Sequence, residues 1–317
     1  MKGPISSKKG PKANWGSPGG WSYSGFMTVF LPVSLEEAFH ALDQCPEAQL
    51  LAGGTDFMVE VNYAHRRPTA VVCLNKVEEL QGWHREGSHV VVGAGVTHSE
   101  IEGPELSELL PALSQAARTV GSPQIRNAGT LGGNIATASP AGDTLPVLCA
   151  LDATIVVASR DERRQVSLDE LIVGPKRTTL RPGEIIVEVR LPASFGSQEF
   201  LKVGTRNAMV IAVANTALVV DWEGRSVRCA LGSVGPVVIR ATEAEQFIAS
   251  KINWQEKSLS DRGAVDEFAN LVRSSARPID DHRSTADYRR HAVGICAARA
   301  LERILAANDA PGAVLAS

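Results

Sequence analysis

Apolar residues form two kinds of pattern along the chain: short runs of strand length and longer stretches with helical spacing. Ser34 is a predicted N-cap, because two acidic residues follow in the first turn and an apolar face begins at Ala38. Further helices are predicted at residues 105–119, 145–151, 264–274 and 285–307. Strands are predicted at residues 50–52, 69–74, 90–92, 153–158, 185–191, 199–203, 211–220 and 227–234, the last three antiparallel.

The last predicted helix has an apolar stripe with arginines mostly outside it. The stripe consists of Val293, Ala297, Ala300, Leu301 and Ile304. The arginines are Arg289, Arg290, Arg299 and Arg303.

The composition changes divide the chain into regions. Residues 1–26 are rich in Gly, Ser, Pro and Lys and contain no acidic residue, so we expect a disordered extension. Residues 192–197 (Pro-Ala-Ser-Phe-Gly-Ser) are the best linker candidate. We therefore expect one domain over 27–194, a second over 198–307, and a tail from 308 to 317.

Length and charge exclude several functional classes. The chain has 317 residues, which is typical of about two domains, and its apolar content of 44% is ordinary for a globular protein. A net charge of −3 gives no electrostatic reason to bind nucleic acid or an acidic membrane. No apolar run reaches the roughly 20 residues of a membrane span.

The five cysteines are scattered and form no C-x-x-C pair. This pattern argues against a disulfide framework, a zinc site or an iron–sulfur cluster held by this chain. It favours a reducing cytoplasm.

Two glycine pairs carry the strongest signal. Residues 50–56 read Leu-Leu-Ala-Gly-Gly-Thr-Asp, and residues 130–134 read Thr-Leu-Gly-Gly-Asn, followed by Asp143. Glycines allow close approach of a ligand, and successive N–H groups in a turn form an anion site without a cationic side chain. We infer that the two stretches fold against each other around one diphosphate. Taken singly, each is more often a plain turn.

A third glycine-containing stretch, Gly93-Ala94-Gly95, follows a predicted strand. It resembles the start of a dinucleotide-binding fingerprint, but His98 stands where the third glycine belongs. No acidic residue occurs about 20 positions later to bind a ribose. We therefore reject a Rossmann interpretation.

No hydrolytic or metal site is apparent in the sequence. The seven histidines are dispersed outside any H-E-x-x-H pattern, and no G-x-S-x-G elbow is present. We interpret each histidine as a surface or hydrogen-bonded residue. A chain with a diphosphate site and no acid–base residues of its own is expected to use the chemistry of a cofactor.

The two glycine-pair motifs resemble the FAD-binding signatures of the medium subunit of molybdenum hydroxylases, a family that includes xanthine dehydrogenase and aerobic carbon monoxide dehydrogenase. The stretch Asp-Tyr-Arg-Arg at residues 287–290, with Arg-Ala-Leu at 299–301, is similar to the family's C-terminal pattern. Gly-Gly-Thr-Asp resembles the xanthine dehydrogenase side more than the Gly-Gly-His-Ser of the carbon monoxide enzymes.

The resemblance implies an α+β protein: a two-subdomain FAD-binding fold of the vanillyl-alcohol oxidase type, then a smaller α+β C-terminal domain. It implies that the cofactor-binding residues are Leu50, Leu51, Ala52, Gly53, Gly54, Thr55, Asp56, Phe57, Val120, Thr130, Leu131, Gly132, Gly133, Asn134, Asp143, Ile186 and Lys202. Asp143 would accept a hydroxyl, and the cation of Lys202 would stabilise the reduced flavin unless it is a solvated strand lysine.

The resemblance also implies an assembly. A large subunit would hold molybdopterin, a small subunit would hold [2Fe-2S] clusters, and this chain would pass electrons through noncovalent FAD to NAD or another acceptor. A dimer of such heterotrimers is expected. Three alternatives stay open: the carbon monoxide dehydrogenase medium subunit, a self-sufficient FAD oxidase of the same fold, and a non-enzymatic nucleotide-binding module. A histidine tether of the oxidase type is disfavoured, because neither motif contains or adjoins a histidine in sequence.

Overall fold

A computed structural model describes residues 27–192 and 196–309. The predicted extension over residues 1–26, the centre of the predicted linker and the last eight residues lie outside this range. Within it, helices and strands occupy largely separate parts of the chain, as expected of an α+β protein.

The first part of the chain forms a small parallel sheet and the start of a larger antiparallel one. Its elements, in chain order, are β1 (Thr28–Phe30), α1 (Leu35–Gln44), β2 (Gln49–Leu51), α2 (Phe57–Asn62), β3 (Ala70–Cys73), β4 (Trp83–Glu86) and β5 (His89–Gly93). Ser34 caps α1 as predicted, since its hydroxyl accepts the N–H of Glu37 at 3.2 Å. The parallel sheet has the order β1-β3-β2.

A helical segment follows. It contains α3 (His98–Ile101), α4 (Pro104–Leu109), α5 (Pro111–Arg118), α6 (Pro123–Ala128), α7 (Leu131–Thr137) and α8 (Thr144–Ala150). The helix predicted over residues 105–119 is two helices, because Leu110 leaves helical geometry before Pro111 begins the next helix.

The next elements complete the antiparallel sheet. They are β6 (Thr154–Ala158), β7 (Arg163–Ser167), α9 (Leu168–Leu171), β8 (Ile172–Gly174), β9 (Arg177–Thr178) and β10 (Ile185–Pro192). The five-stranded sheet has the order β4-β5-β10-β6-β7. β5 pairs antiparallel on both sides, so the rejection of a parallel dinucleotide-binding unit at Gly93 agrees with the structure.

The remaining elements build a four-stranded antiparallel sheet covered by helices. They are β11 (Ser197–Val203), β12 (Ala214–Asp221), β13 (Ser226–Gly232), β14 (Ile239–Arg240), α10 (Thr242–Ala249), β15 (Ile252–Asn253), β16 (Ser258–Leu259), α11 (Ala264–Ser275) and α12 (Ala286–Asp309). The predicted antiparallel pairing of β11, β12 and β13 is confirmed.

The sequence of β12 alternates only weakly between apolar and polar residues, and the cause is structural: the strand is buried on both faces. Ala217 and Val219 belong to the hydrophobic core of the first part of the chain, whereas Leu218 and Val220 belong to the core beneath α12. A strand covered on both sides has no polar face, so it lacks a two-residue period. The strand was also predicted three residues too early, because residues 211–213 belong to the preceding connection.

The stripe predicted on α12 is buried, and so is one of the four arginines that were placed mostly outside it. Only 3% of the surface of Arg289 is exposed. A charged residue is buried in this way only when it is paired, and Arg289 has several hydrogen-bond partners.

Candidate functional site

The two glycine-pair motifs lie against each other. A Cβ atom built on Gly53 would be 1.7 Å from the carbonyl oxygen of Ala128 and 3.0 Å from the Cα of Gly129. Only glycine permits this approach of one backbone to another. The first motif therefore contacts the chain immediately before the second, which agrees with the prediction that the two stretches fold together.

The second motif is the start of a helix and not an open turn. Thr130 caps α7, and the four N–H groups of residues 131–134 donate to the carbonyl oxygens of Val96, Ala94 and Thr130 and to the Thr130 hydroxyl, at 2.8–3.0 Å. The expectation that these amides form an anion site is wrong in this respect, because the protein already supplies their acceptors. The motif contributes a closely packed wall and the side chain of Asn134.

The first motif provides the free donors. Within the described part of the chain, the N–H groups of residues 53–56 have no hydrogen-bond acceptor. Gly54 has a φ of +73°, a left-handed backbone conformation that residues other than glycine seldom adopt. Unpaired donors that point out of such a turn form an anion-binding concavity.

The rejected glycine stretch turns out to be a third wall. A Cβ on Gly132 would lie 2.6 Å from the Cβ of Ala94, and Ala94 and Gly95 both line the same pocket as the two motifs. Gly93 and Gly95 are glycines because residues 80–82 pack closely on them: a Cβ on either would lie within 3.0 Å of the Leu80 carbonyl oxygen. These glycines could have indicated close backbone packing from the sequence alone, but we compared them only with the dinucleotide-binding fingerprint.

The pocket enclosed by these walls has a volume of about 550 Å³. Fourteen of the predicted site residues line it: Leu50, Ala52, Gly53, Gly54, Thr55, Asp56, Phe57, Val120, Thr130, Gly132, Gly133, Asn134, Asp143 and Ile186.

Three predicted site residues do not line the pocket. Leu131 is fully buried in the core, since it starts α7 on the face away from the pocket. Leu51 ends β2 and lies behind Gly54. Lys202 lies one layer deeper, where Asp143 separates it from the cavity.

Asp143 and Lys202 form a buried ion pair. The Lys202 ammonium donates to Asp143 Oδ2 at 2.5 Å and to the Thr119 carbonyl oxygen at 3.0 Å. Asp143 also accepts the Thr119 hydroxyl at 3.1 Å and, through Oδ1, the Asn215 amide at 3.0 Å. Burial raises the pKa of Asp143, while Lys202 and the two other donors oppose this rise. The interpretation of Lys202 as a solvated strand lysine is therefore wrong.

His98 is an unexpected wall residue. It is 2% exposed, lines the pocket, and has a buried Nδ1 with no hydrogen-bond partner among the described residues. Desolvation, together with the nearby Arg126, lowers the pKa of His98 to about 4. Our expectation that every histidine is a surface or hydrogen-bonded residue therefore fails at Nδ1 of His98. The backbone N–H of His98 donates to the Gly129 carbonyl oxygen, which places the ring beside the second motif.

The rim of the pocket carries two cationic side chains, which both motifs lack. Glu60 accepts Lys176 at 2.7 Å and Arg66 at 2.9 Å, and the Arg66 guanidinium lies 4.7 Å from the ring centre of Phe57. The hydrogen bond from Lys176 lowers the pKa of Glu60. Asp56, whose N–H is one of the free amides, also lines the pocket, so the formal charges of Lys176, Arg66, Glu60 and Asp56 sum to zero. Arg66 and Lys176 both lie outside the two motifs in sequence, and Arg66 reaches the first motif only through its contact with Phe57. No sequence signal therefore pointed to this cluster.

The described residues show few other candidate centres. No group of three or more His, Cys, Asp or Glu in them could hold a metal ion. Their helices include none with the length and apolar character that a membrane crossing requires.

Two family models match the chain. The model of the FAD binding domain in molybdopterin dehydrogenase matches residues 24–194. The model of the CO dehydrogenase flavoprotein C-terminal domain matches residues 199–304.

Similar proteins cover nearly the same span. The carbon monoxide dehydrogenase medium chain of Hydrogenophaga pseudoflava is 32% identical over 85% of this chain and 94% of its own length. The glyceraldehyde dehydrogenase medium chain of Sulfolobus acidocaldarius is 30% identical over 86% and 95%. The nicotinate dehydrogenase FAD-subunit of Eubacterium barkeri is 34% identical over 69% and 78%.

Solved structures agree. A carbon monoxide dehydrogenase chain from Hydrogenophaga pseudoflava superposes with a TM-score of 0.79 at 31% identity, covering 88% of this chain and 97% of that one. A chain of quinoline 2-oxidoreductase from Pseudomonas putida 86 superposes with a TM-score of 0.81 at 25% identity, covering 89% and 98%. The chain therefore belongs to the FAD-binding medium subunits of the molybdenum hydroxylase family, which are subunits of oxidoreductase complexes.

Proposed function

We propose that this chain binds FAD noncovalently and transfers electrons from [2Fe-2S] clusters on a small partner subunit to NAD or another acceptor. In the same proposal, a large partner subunit that holds molybdopterin oxidises the substrate, and two heterotrimers form a dimer. The observation that carries the proposal is the backbone contact at Gly53, which brings both motifs and four free amides to one pocket.

The residues present fit the cofactor. The pocket volume of about 550 Å³ lies within the roughly 300–1,000 Å³ common for small-molecule and cofactor sites. The diphosphate of FAD is anionic, and the free amides of the first motif favour an anion. Gly53 packs directly on residues 128–129, and Gly132 packs directly on Ala94. Because these glycines have no side chain, they leave the cavity open to a ligand.

The first motif would bind the diphosphate. Its free N–H groups at residues 53–56 are the donors, and the Thr55 hydroxyl lies on the side that faces Gly129. The second motif would hold the opposite wall, since its own amides are already bonded. This division of roles replaces the symmetrical arrangement that the two similar sequences suggest.

Asp143 would accept one ligand hydroxyl. A carboxylate offers about four acceptor positions. Asn215 uses one position on Oδ1, and Thr119 and Lys202 use those on Oδ2, which leaves one position on Oδ1. Because Lys202 is paired with Asp143, its charge acts on the pocket through that carboxylate and not as a free cation.

Bound FAD supplies the redox chemistry, because it exchanges electrons singly or in pairs and so can link one-electron clusters to a two-electron acceptor. The protein binds the cofactor, excludes water from one side of it and keeps the Asp143 carboxylate and the Lys202 ammonium in a fixed geometry near the pocket. Val120, Ile186 and residues 209–211 give the pocket its apolar walls.

We place substrate choice in a partner subunit. The relatives bear names that refer to carbon monoxide, glyceraldehyde and nicotinate, although each aligns with most of this chain. The xanthine dehydrogenase-like assignment, which was drawn from Gly-Gly-Thr-Asp, and NAD as the acceptor remain predictions.

A test of the proposed function compares the full chain alone with the chain co-expressed with its partner subunits. With FAD bound, the chain alone should reduce an artificial acceptor with NADH and should oxidise none of the candidate substrates. Substrate oxidation by the chain alone would instead indicate a self-sufficient oxidase. FAD binding without reduction by NADH or by the complex would indicate a binding module.

A further inference from the structure

Arg289, in the first turn of α12, holds a buried junction of three chain segments. Its Nη1 donates to the carbonyl oxygens of Val213 and Ser233, both at 2.9 Å, and its Nη2 donates to Asp281 Oδ1 at 2.6 Å. The side chain is 4% exposed. Charge-assisted hydrogen bonds of this kind are about twice as strong as neutral ones.

Ser233 extends the junction to the pocket wall. Its N–H donates to the Pro140 carbonyl oxygen at 2.8 Å, and its hydroxyl donates to the Ala212 carbonyl oxygen at 3.0 Å. Ser233 has a φ of +62°, which is a strained conformation for a serine, and the surrounding bonds hold it there. We refer to Asp281, Arg289 and Ser233 together as the clamp.

The clamp contacts two segments that line the pocket. Val213 and Ala212 end the connection between β11 and β12, residues 204–213, of which residues 209–211 line the pocket. Pro140 lies within the opposite wall, where Ser139, Ala141 and Gly142 line the pocket. One buried guanidinium thus acts on two walls that are far apart in sequence.

Most side chains of residues 205–211 are exposed, so burial does little to fix this part of the connection. Met209 and Ile211 are 54% and 58% exposed. Within the connection, Arg206 donates to the carbonyl oxygens of Ala208 and Met209. Bonds at the end of the connection, to the clamp and between Val213 N–H and the Val203 carbonyl oxygen at 2.8 Å, therefore determine where it lies.

We propose that Arg289 is a positioning residue for the cofactor pocket. Through Val213 and Ser233 it keeps residues 204–213 and 139–142 against the bound flavin, and so slows the release of FAD. The inference rests on the proposed function and gives a role to the first arginine of the Asp-Tyr-Arg-Arg stretch, residues 287–290. Arg290 has no such role, since it pairs at 2.9 Å with Asp287, which is 96% exposed.

The test compares Arg289→Lys with Arg290→Lys in the full chain reconstituted with FAD. Lysine keeps the charge but cannot donate in a fork to Val213, Ser233 and Asp281 together. We expect the FAD dissociation rate, followed by flavin fluorescence, to rise at least about tenfold in Arg289→Lys, as the loss of one charge-assisted bond implies. It should stay within about twofold of wild type in Arg290→Lys, whose exposed pair contributes little.

Hydrogen–deuterium exchange distinguishes positioning from general destabilisation. In Arg289→Lys the faster exchange should be confined to residues 204–213 and 139–142, with β5 and β6 unchanged. Equal FAD release in the two lysine variants, while wild type binds FAD, would overturn this inference and leave the proposed function intact. Failure of wild type to bind FAD would instead refute the proposed function.

Asp281→Asn covers the case in which Arg289→Lys fails to fold. This variant replaces the charged acceptor of Arg289 Nη2 by a neutral amide and leaves the carbonyl acceptors at Val213 and Ser233 in place. A several-fold faster FAD release, with hydrogen exchange of β5 and β6 unchanged, supports the clamp. Release at the wild-type rate overturns it.

Discussion

The contact between Gly53 and the chain before the second motif can be broken by adding a single methyl group. In Gly53→Ala the new Cβ would lie 1.7 Å from the Ala128 carbonyl oxygen and 2.5 Å from its carbonyl carbon. Both are backbone atoms, so no side chain can rotate away. The two motifs must separate, and the pocket wall that they share must change shape.

The size of the effect follows from this overlap. An ordinary contact needs roughly 1.5 Å more space than the structure provides. Forcing extra atoms into a well-packed site costs typically about 1–3 kcal/mol, and the affected atoms here belong to the proposed diphosphate site. If that cost falls mainly on the bound state, FAD affinity decreases by about 5- to 150-fold.

The assay is equilibrium binding of FAD to the apo chain, measured by quenching of flavin fluorescence. Gly174→Ala is the matched control, because the nearest atom to its Cβ would be 3.8 Å away and the site is outside the pocket. The control should bind FAD like wild type. An unchanged dissociation constant in Gly53→Ala, with the fold preserved, would refute the claim that the two motifs form one site.

Three further changes have defined outcomes. Gly54→Ala should weaken FAD binding less than Gly53→Ala, since its Cβ would come no nearer than 3.5 Å to any atom, and the φ of +73° costs only about 1–2 kcal/mol of backbone strain. Lys202→Met should lower the free energy of unfolding in urea by about 3 kcal/mol, because Asp143 keeps its burial without its cation, and adding Asp143→Asn should recover part of the loss. For His98, with a pKa of about 4, the unfolded chain binds the extra proton between about pH 4 and 6.5, so stability should fall by up to roughly 3 kcal/mol as pH is lowered across this window. Thermal unfolding from pH 4 to 7 should show a flatter dependence in His98→Gln; an equal slope would contradict the burial of a neutral ring.

Local patterns predicted about half of the helices and strands of the described residues, including the longest ones, and the meeting of the two motifs. Ser34 and α1 follow from capping and an apolar face, which are properties of a few adjacent residues. The glycine pairs indicated close approach, and the structure shows it at Gly53. β12 was located imperfectly, because a strand buried on both faces has no period for a sequence to display.

Features that depend on tertiary neighbours were not predictable from the sequence. The amides of residues 131 and 132 look available in sequence, but their acceptors are the carbonyl oxygens of residues 96 and 94, which belong to another segment. The burial of His98 and Arg289 depends on partners up to 76 positions away, as between Arg289 and Val213. Charge and spacing alone suggest exposure for both residues.

The most direct test of the account is the flavin content of the purified full chain after incubation with FAD and removal of the excess. We expect about one FAD per chain, with a yellow absorbance, released completely when the protein is denatured, because the site holds the cofactor without a covalent bond. A chain that retains no flavin after reconstitution would contradict the central claim. Flavin that stays attached after denaturation would contradict the noncovalent site and point to His98, the histidine in the pocket wall.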